Sequence, residues 1–107
     1  METRVYADRQ ARKPLIVWLD ALKDAKARAH IKARLARVRA GNFGDCKPLR
    51  DGVQELRIDF GPGYRVYLRR QGTTLVLLLC GGDKSDQARD IEQAIEYLND
   101  WKQRGKS

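Results

Sequence analysis

ELRIDFGPGYRVYLRRQGTTLVLLLCGGDKSDQ, Glu55 to Gln87, runs as three strands and the start of a helix. Leu56, Ile58 and Phe60 alternate with charged residues, and Tyr64, Val66 and Leu68 alternate in the same way. Such alternation puts each set on one face of its strand. Gly61-Pro62-Gly63 between them is turn chemistry. A three-residue loop would pair Phe60 with Tyr64, Ile58 with Val66 and Leu56 with Leu68, burying all six. It would pair Asp59 with Arg65, Arg57 with Tyr67 and Glu55 with Arg69 on the other face. A slip of one residue would bury Arg65 and expose the apolar set, so the inward face is well specified. Leu75 to Cys80, LVLLLC, is apolar on both faces and reads as a central strand with both sides covered. Gly81-Gly82 ends that run, where a ligand or another backbone can come close. Lys84 follows, and Ser85 is expected to cap the last helix.

The charges beside the hairpin have two readings. They are cross-strand ion pairs on a solvated face, worth roughly a few tenths of a kcal/mol each. Or they are cations converging on a phosphate-bearing partner. Composition alone favours the first.

Working outward, Thr3 to Ala7 alternates and reads as a first strand. A helix is expected from about Lys13 to Lys23, with Pro14 tolerated in its first turn. Leu15, Trp18, Leu19 and Leu22 form its inward stripe. Asp24 is expected to cap a second helix, Ala25 to Ala40, whose apolar line is Ile31, Leu35 and Val38. Gly41-Asn42 ends it, and the two helices form an antiparallel hairpin. Residues 42–52 read as a loop, and strands are expected at 53–60, 64–70 and 74–80. The last helix is expected from Asp86 to Gln103, with Ala88, Ile91, Ile95, Leu98 and Trp101 inward. The tail Arg104 to Ser107 is expected to fray. The order β-α-α-β-β-β-α implies a single α+β domain over residues 1–107, with helices packed on one side of a mainly antiparallel sheet.

The chain has 107 residues and a net charge of +8. Residues 1–42 hold 11 Lys/Arg against 4 Asp/Glu, and residues 43–107 hold 11 against 10. The surplus therefore sits in the first half, and it favours a polyanion or an acidic protein as partner. A basic surface with no nucleic-acid role remains the plain alternative. No run is long enough for a membrane span, the longest being Leu75 to Cys80. The start, METRVYADRQ, carries early charges unlike a secretory signal. Cys46 and Cys80 are expected as free thiols. A lone His30 and two unpaired cysteines do not make a metal site, so neither metal nor cofactor is expected. His30, on the basic helix, reads as a surface or boundary residue.

Three motifs carry a resemblance: GNFGDCKPL at 41–49, ELRIDFGPGYRVYL at 55–68 and LLLCGGDKSDQ at 77–87. On these the chain resembles the RelE/ParE toxin superfamily of bacterial toxin–antitoxin modules. It is most similar to the HigB-like, phage-type addiction module killer proteins. The resemblance covers nearly the whole chain and implies the β-α-α-β-β-β-α RelE-like toxin fold. It implies the toxin of a type II module, a ribosome-dependent mRNA endonuclease working without metal in the cytoplasm. It also implies three partners: a small helix-turn-helix antitoxin, the ribosome and mRNA. In that reaction the ribose 2′-oxygen attacks the adjacent phosphorus, which asks for a proton acceptor, positive charge on the phosphate and a proton for the leaving oxygen.

Carried over residue by residue, Arg65 matches the arginine after the hairpin turn and would stabilise the scissile phosphate. Arg57 matches a basic position on the preceding strand. Lys84 stands where relatives have a basic residue after the last strand, as phosphate ligand or proton donor. Asp90 falls near a final-helix position that is tyrosine or acidic in relatives, as base or orienting group. Read without the resemblance, the acidic Asp86 and Asp90 only offset the helix macrodipole. RNA contacts are expected from Lys47, Arg50, Tyr67 and Arg69. The chain departs from the family pattern in having no histidine near the sheet and no tyrosine at the final-helix site. Two further readings stay open: a ParE-like gyrase poison, and a non-catalytic module that binds only its antitoxin or nucleic acid. The basic second helix could follow ribosomal RNA, dock an acidic antitoxin segment or be a solvated face.

Overall fold

The computed structural model describes residues 1–105. Among them the strands are β1 (Glu2–Val5), β2 (Cys46–Pro48), β3 (Gln54–Ile58), β4 (Tyr64–Gln71) and β5 (Leu75–Asp83). The helices are α1 (Pro14–Ala21), α2 (Ala25–Arg39) and α3 (Gln87–Gln103), the last preceded by a 3-10 turn over Lys84–Asp86. The chain is α+β: one mixed sheet in the order β1-β5-β4-β3-β2 with three helices. The β1–β5 pair is parallel and the other pairs are antiparallel. No helix of the described residues is long and apolar enough to cross a membrane.

Local chemistry accounts for the helix ends. Pro14 opens α1, where a missing N–H costs nothing. Asp24 caps α2, its carboxylate accepting from Lys26 N at 2.9 Å and Ala27 N at 3.3 Å. Gly41 ends α2 at φ 92, a conformation that favours glycine. Ser85 does not cap α3. It donates to Asp83 Oδ1, which also accepts from Ser85 N and so caps the 3-10 turn.

Helices cover both faces of the sheet, not one. Leu15 and Leu19 of α1 and Ala27, Ile31, Leu35 and Val38 of α2 pack with Leu56, Ile58, Tyr64, Val66 and Leu68. On the opposite face Ala94, Ile95, Leu98 and Trp101 of α3 pack with Val53, Tyr67, Leu77, Leu79 and Cys80. The buried line of α3 starts at Asp90, while Ala88 is exposed and Ile91 half-buried. β5 lies inside the sheet, although β4 is its middle strand.

Two details differ from the expected hairpin. Residues 42–52 contain a short strand, β2, which forms an edge against β3. The β3–β4 register is also two residues from that expected: Ile58 faces Tyr64, Leu56 faces Val66, Arg57 faces Arg65 and Glu55 faces Tyr67. The same side chains stay inward, because a shift of two preserves the faces. The cause is the turn. Gly63 N bonds Phe60 O at 3.1 Å with Gly61 at φ 57, so the turn closes before Phe60 can enter the ladder. Phe60 stacks on the exposed His30 instead, with ring centroids 4.1 Å apart.

A bulge in β5 completes the arrangement. Tyr67 faces Cys80 while Leu68 faces Leu78, so Leu79 is extra. Leu79 and Cys80 both enter the α3-side core. Beyond them a Cβ on Gly81 would stand 2.5 Å from the Trp18 ring, and one on Gly82 would stand 1.9 Å from Asp90 Oδ2. At the other end of the chain Arg104 is held, donating to Ala7 O at 2.6 Å and pairing with Asp100. The rest of the tail expected to fray, residues 106 and 107, lies outside the described residues.

Gly82→Ala should cost about 1–3 kcal/mol, because the buried Asp90 must be displaced. Urea unfolding of the two proteins measures it. A cost near zero would mean that Asp90 moves aside freely.

Candidate functional site

The shift in register sets Arg57 directly opposite Arg65. Like charges at directly opposed positions repel, so each needs an anion. Arg57 Nε reaches Asp45 Oδ2 at 3.0 Å, and both side chains are exposed, at 46% and 56%. Arg65 Nε lies 3.4 Å from Glu55 Oε2, and here the side chains are 12% and 0% exposed. The first pair is solvated and loosely held. The second is buried, and removing either partner would strand a charge under α3.

Lys84 joins the two arginines. Its backbone N bonds Gly63 O at 3.0 Å, which pins the 3-10 turn to the hairpin turn. Its side chain is exposed. Arg57, Arg65 and Lys84 thereby line one groove of about 380 Å³, with Asp45, Asp59 and the Gly61–Gly63 turn. The structure thus gathers three of the four expected catalytic residues.

Asp90 is elsewhere. It lines a second concavity of about 390 Å³ between α1 and α3, with Trp18, Gly81 and Tyr97. It is 7% exposed, and its Oδ2 has no hydrogen-bond partner among the described residues. Burial, with Asp86 and Asp83 adding to it, holds its carboxyl above the usual range, against the opposing pull of Arg89. Cys80 lines the same concavity, and burial pushes its thiol up to about 12. That thiol stays protonated and is a poor nucleophile.

The expected RNA contacts do not form one surface. Tyr67 is fully buried, so it has no surface to offer RNA. Burial and the nearby Glu55 and Asp90 raise its hydroxyl well above the tyrosine range. Arg69 is half-buried and leans on Gly52 O at 3.4 Å. Arg50 pairs with Asp51 and Glu92, and Lys47 stands 4.0 Å from Glu55 Oε1. Arg50 and Arg69 line a separate depression beside Pro48 and Gly52. On the basic helix, Arg28 bonds Leu22 O and Arg34 bonds Phe43 O, so these two tie α2 to its flanking loops.

Sequence reasoning passed over Glu55 and Asp45. Glu55 was expected on an open face opposite Arg69, and α3 covers it instead. Its one sequence signal is an acidic residue two positions from Arg57 on the same face of the strand.

No protein-family model matches the chain. It is similar to an uncharacterized protein of Haemophilus influenzae, 60% identical over 77 residues that span 72% of this chain and 78% of that protein. The chain belongs to that protein's family. Identity at this level over most of both chains implies that the two share a fold.

Asp90 gives a sign that can be tested. Its folded-state pKa lies above the ordinary 3.8 of the unfolded chain. Below 3.8 both states hold the proton and the stability contribution is fully present. As pH rises through the shifted value, the folded protein has to ionise a buried group and that contribution is lost. Asp90→Asn, which mimics the protonated form, should therefore match the parent in acid and become the more stable of the two towards pH 7. Chemical unfolding across that range checks it, and equal stability at pH 7 would contradict it.

Proposed function

We propose that this chain is the toxin of a type II toxin–antitoxin module, with a RelE/HigB-type fold, and that it cleaves mRNA on the ribosome. The supporting observation is the groove itself. Two arginines face each other across a hairpin despite their repulsion, and a lysine is pinned beside them. Such a cluster suits a phosphate that gains negative charge during reaction. Arginine stays charged and can bind two phosphate oxygens at once.

The chemistry follows from what the groove contains. A ribose 2′-oxygen attacks the neighbouring phosphorus, the 5′-oxygen leaves and a cyclic phosphate remains. Arg65 and Arg57 bind the non-bridging oxygens. Lys84, whose side chain is exposed, serves the phosphate or protonates the leaving oxygen. Asp45 and Asp59 are the carboxylates in the groove that can accept the 2′ proton. Asp90 is remote from that role, and its burial fits a place in the core. The ribosome would supply the substrate's alignment. Its location would be the cytoplasm, and its partner a small helix-turn-helix antitoxin that restrains it.

Mapping mRNA 5′ ends after brief induction in cells, with purified ribosomes as the in vitro counterpart, tests this. The wild type should cut within the translated frame. Lys84→Ala should cut about a hundredfold more slowly with an unchanged unfolding midpoint, because Lys84 is exposed. Uncut mRNA alongside trapped DNA–gyrase complexes would replace the proposal with gyrase poisoning.

A further inference from the structure

We infer that Glu55 is a positioning residue, holding Arg65 so that its terminal nitrogens face the groove. As a statement about catalysis this rests on the endonuclease reading; as a statement about Arg65 it stands alone.

Glu55 has no exposed surface, an unusual state for a carboxylate. Three groups surround it. Gln87 Nε2, at the first residue of α3, donates to Oε2 at 2.8 Å. Arg65 Nε approaches the same oxygen at 3.4 Å, and Lys47 Nζ stands 4.0 Å from Oε1. Tyr67, directly opposite on β4, is buried beside it. The carboxylate is therefore anchored by one hydrogen bond from the start of α3 and by two cations at ion-pair distance, with Oε1 accepting no hydrogen bond among the described residues.

Glu55 holds Arg65 by charge and not by a hydrogen bond: its carboxylate lies 3.4 Å from the buried Nε, at the inner end of the guanidinium. Nη1 lies 4.0 Å from where a Cβ on Gly63 would stand, at the hairpin turn that lines the groove. Arg65 is thus aimed by the protein interior. Arg57 is not, since its partner Asp45 is exposed. One guanidinium held from the interior and two exposed cations make a groove that can orient a phosphodiester as well as attract it. Gln87 makes the start of α3 part of the same support.

The test uses the full chain, its Glu55→Gln, Arg65→Gln and double variants, and a 2′-O-methylated RNA oligonucleotide that cannot be cleaved. By NMR, the Arg65 Nε proton, buried beside Glu55, should be resolved and slow to exchange in the wild type. In Glu55→Gln it should exchange fast while core resonances persist. Oligonucleotide affinity should fall about tenfold in Glu55→Gln, and Glu55→Gln should have no further effect in the Arg65→Gln background, because Glu55 acts through Arg65. If Glu55→Gln does not fold, Glu55→Asp replaces it; its shorter side chain should loosen Arg65 in the same direction. An Arg65 proton equally protected in the variant overturns the inference whether or not RNA binds. An equal loss of affinity with and without Arg65 overturns it too. If these results hold but wild-type protein leaves ribosome-bound mRNA intact, the endonuclease reading falls and the positioning role stands.

Discussion

Glu55 lies beneath α3 with no exposed surface, its carboxylate 3.4 Å from Arg65 Nε and 2.8 Å from Gln87 Nε2. That contact is a consequence of covering a sheet on both faces. β4 and β5 carry α1 and α2 on one side and α3 on the other, and Glu55 of the adjoining β3 is buried on the α3 side. A charge under such a cover must be paired or give up its ionisation. Arg65 and Glu55 take the first course. Asp90, which forms no ion pair among the described residues, has its carboxyl held above the ordinary range by burial, against the pull of Arg89.

The groove forms where the two covers end. At the hairpin turn the chain passes beyond α3, and Arg57 and Lys84 reach solvent there. Arg65 spans the boundary, held inside by Glu55 and lining the groove outside. The repulsion between opposed arginines is a local cost that a surface built only for stability would not keep. Its retention fits a surface made to receive an anion, as strain held at functional sites commonly does.

Much of this could be read in the residues. The period-two pattern around Gly61–Gly63 specified which side chains turn inward, and the cap at Asp24 and the stop at Gly41 took their expected places. Arg57, Arg65 and Lys84 meet because strand alternation turns both arginines to one face and β5 carries Lys84 to the hairpin turn; the break expected at Gly81-Gly82 does not occur, since both glycines stay in β5, opposite Val66 and Arg65. The register was not legible. Whether Phe60 joins the ladder depends on how the Gly-Pro-Gly turn closes, and on the His30 ring that receives Phe60 from a distant helix. Nor was the burial of Glu55 and Tyr67. LVLLLC asks for cover on both faces, yet the choice of α3 as the second cover is a tertiary matter that local periodicity does not record. Asp90 falls on the helix stripe of Ala94, Leu98 and Trp101, and its spacing would have placed it inward.

The most direct measurement of the central claim is a crystal structure of the chain with a short 2′-O-methylated RNA. A backbone phosphate should lie in the groove, within hydrogen-bond distance of the Arg65 terminal nitrogens and beside Arg57 and Lys84, with Glu55 still on Arg65 Nε. RNA seated along α2, with the groove free of phosphate, would contradict the account.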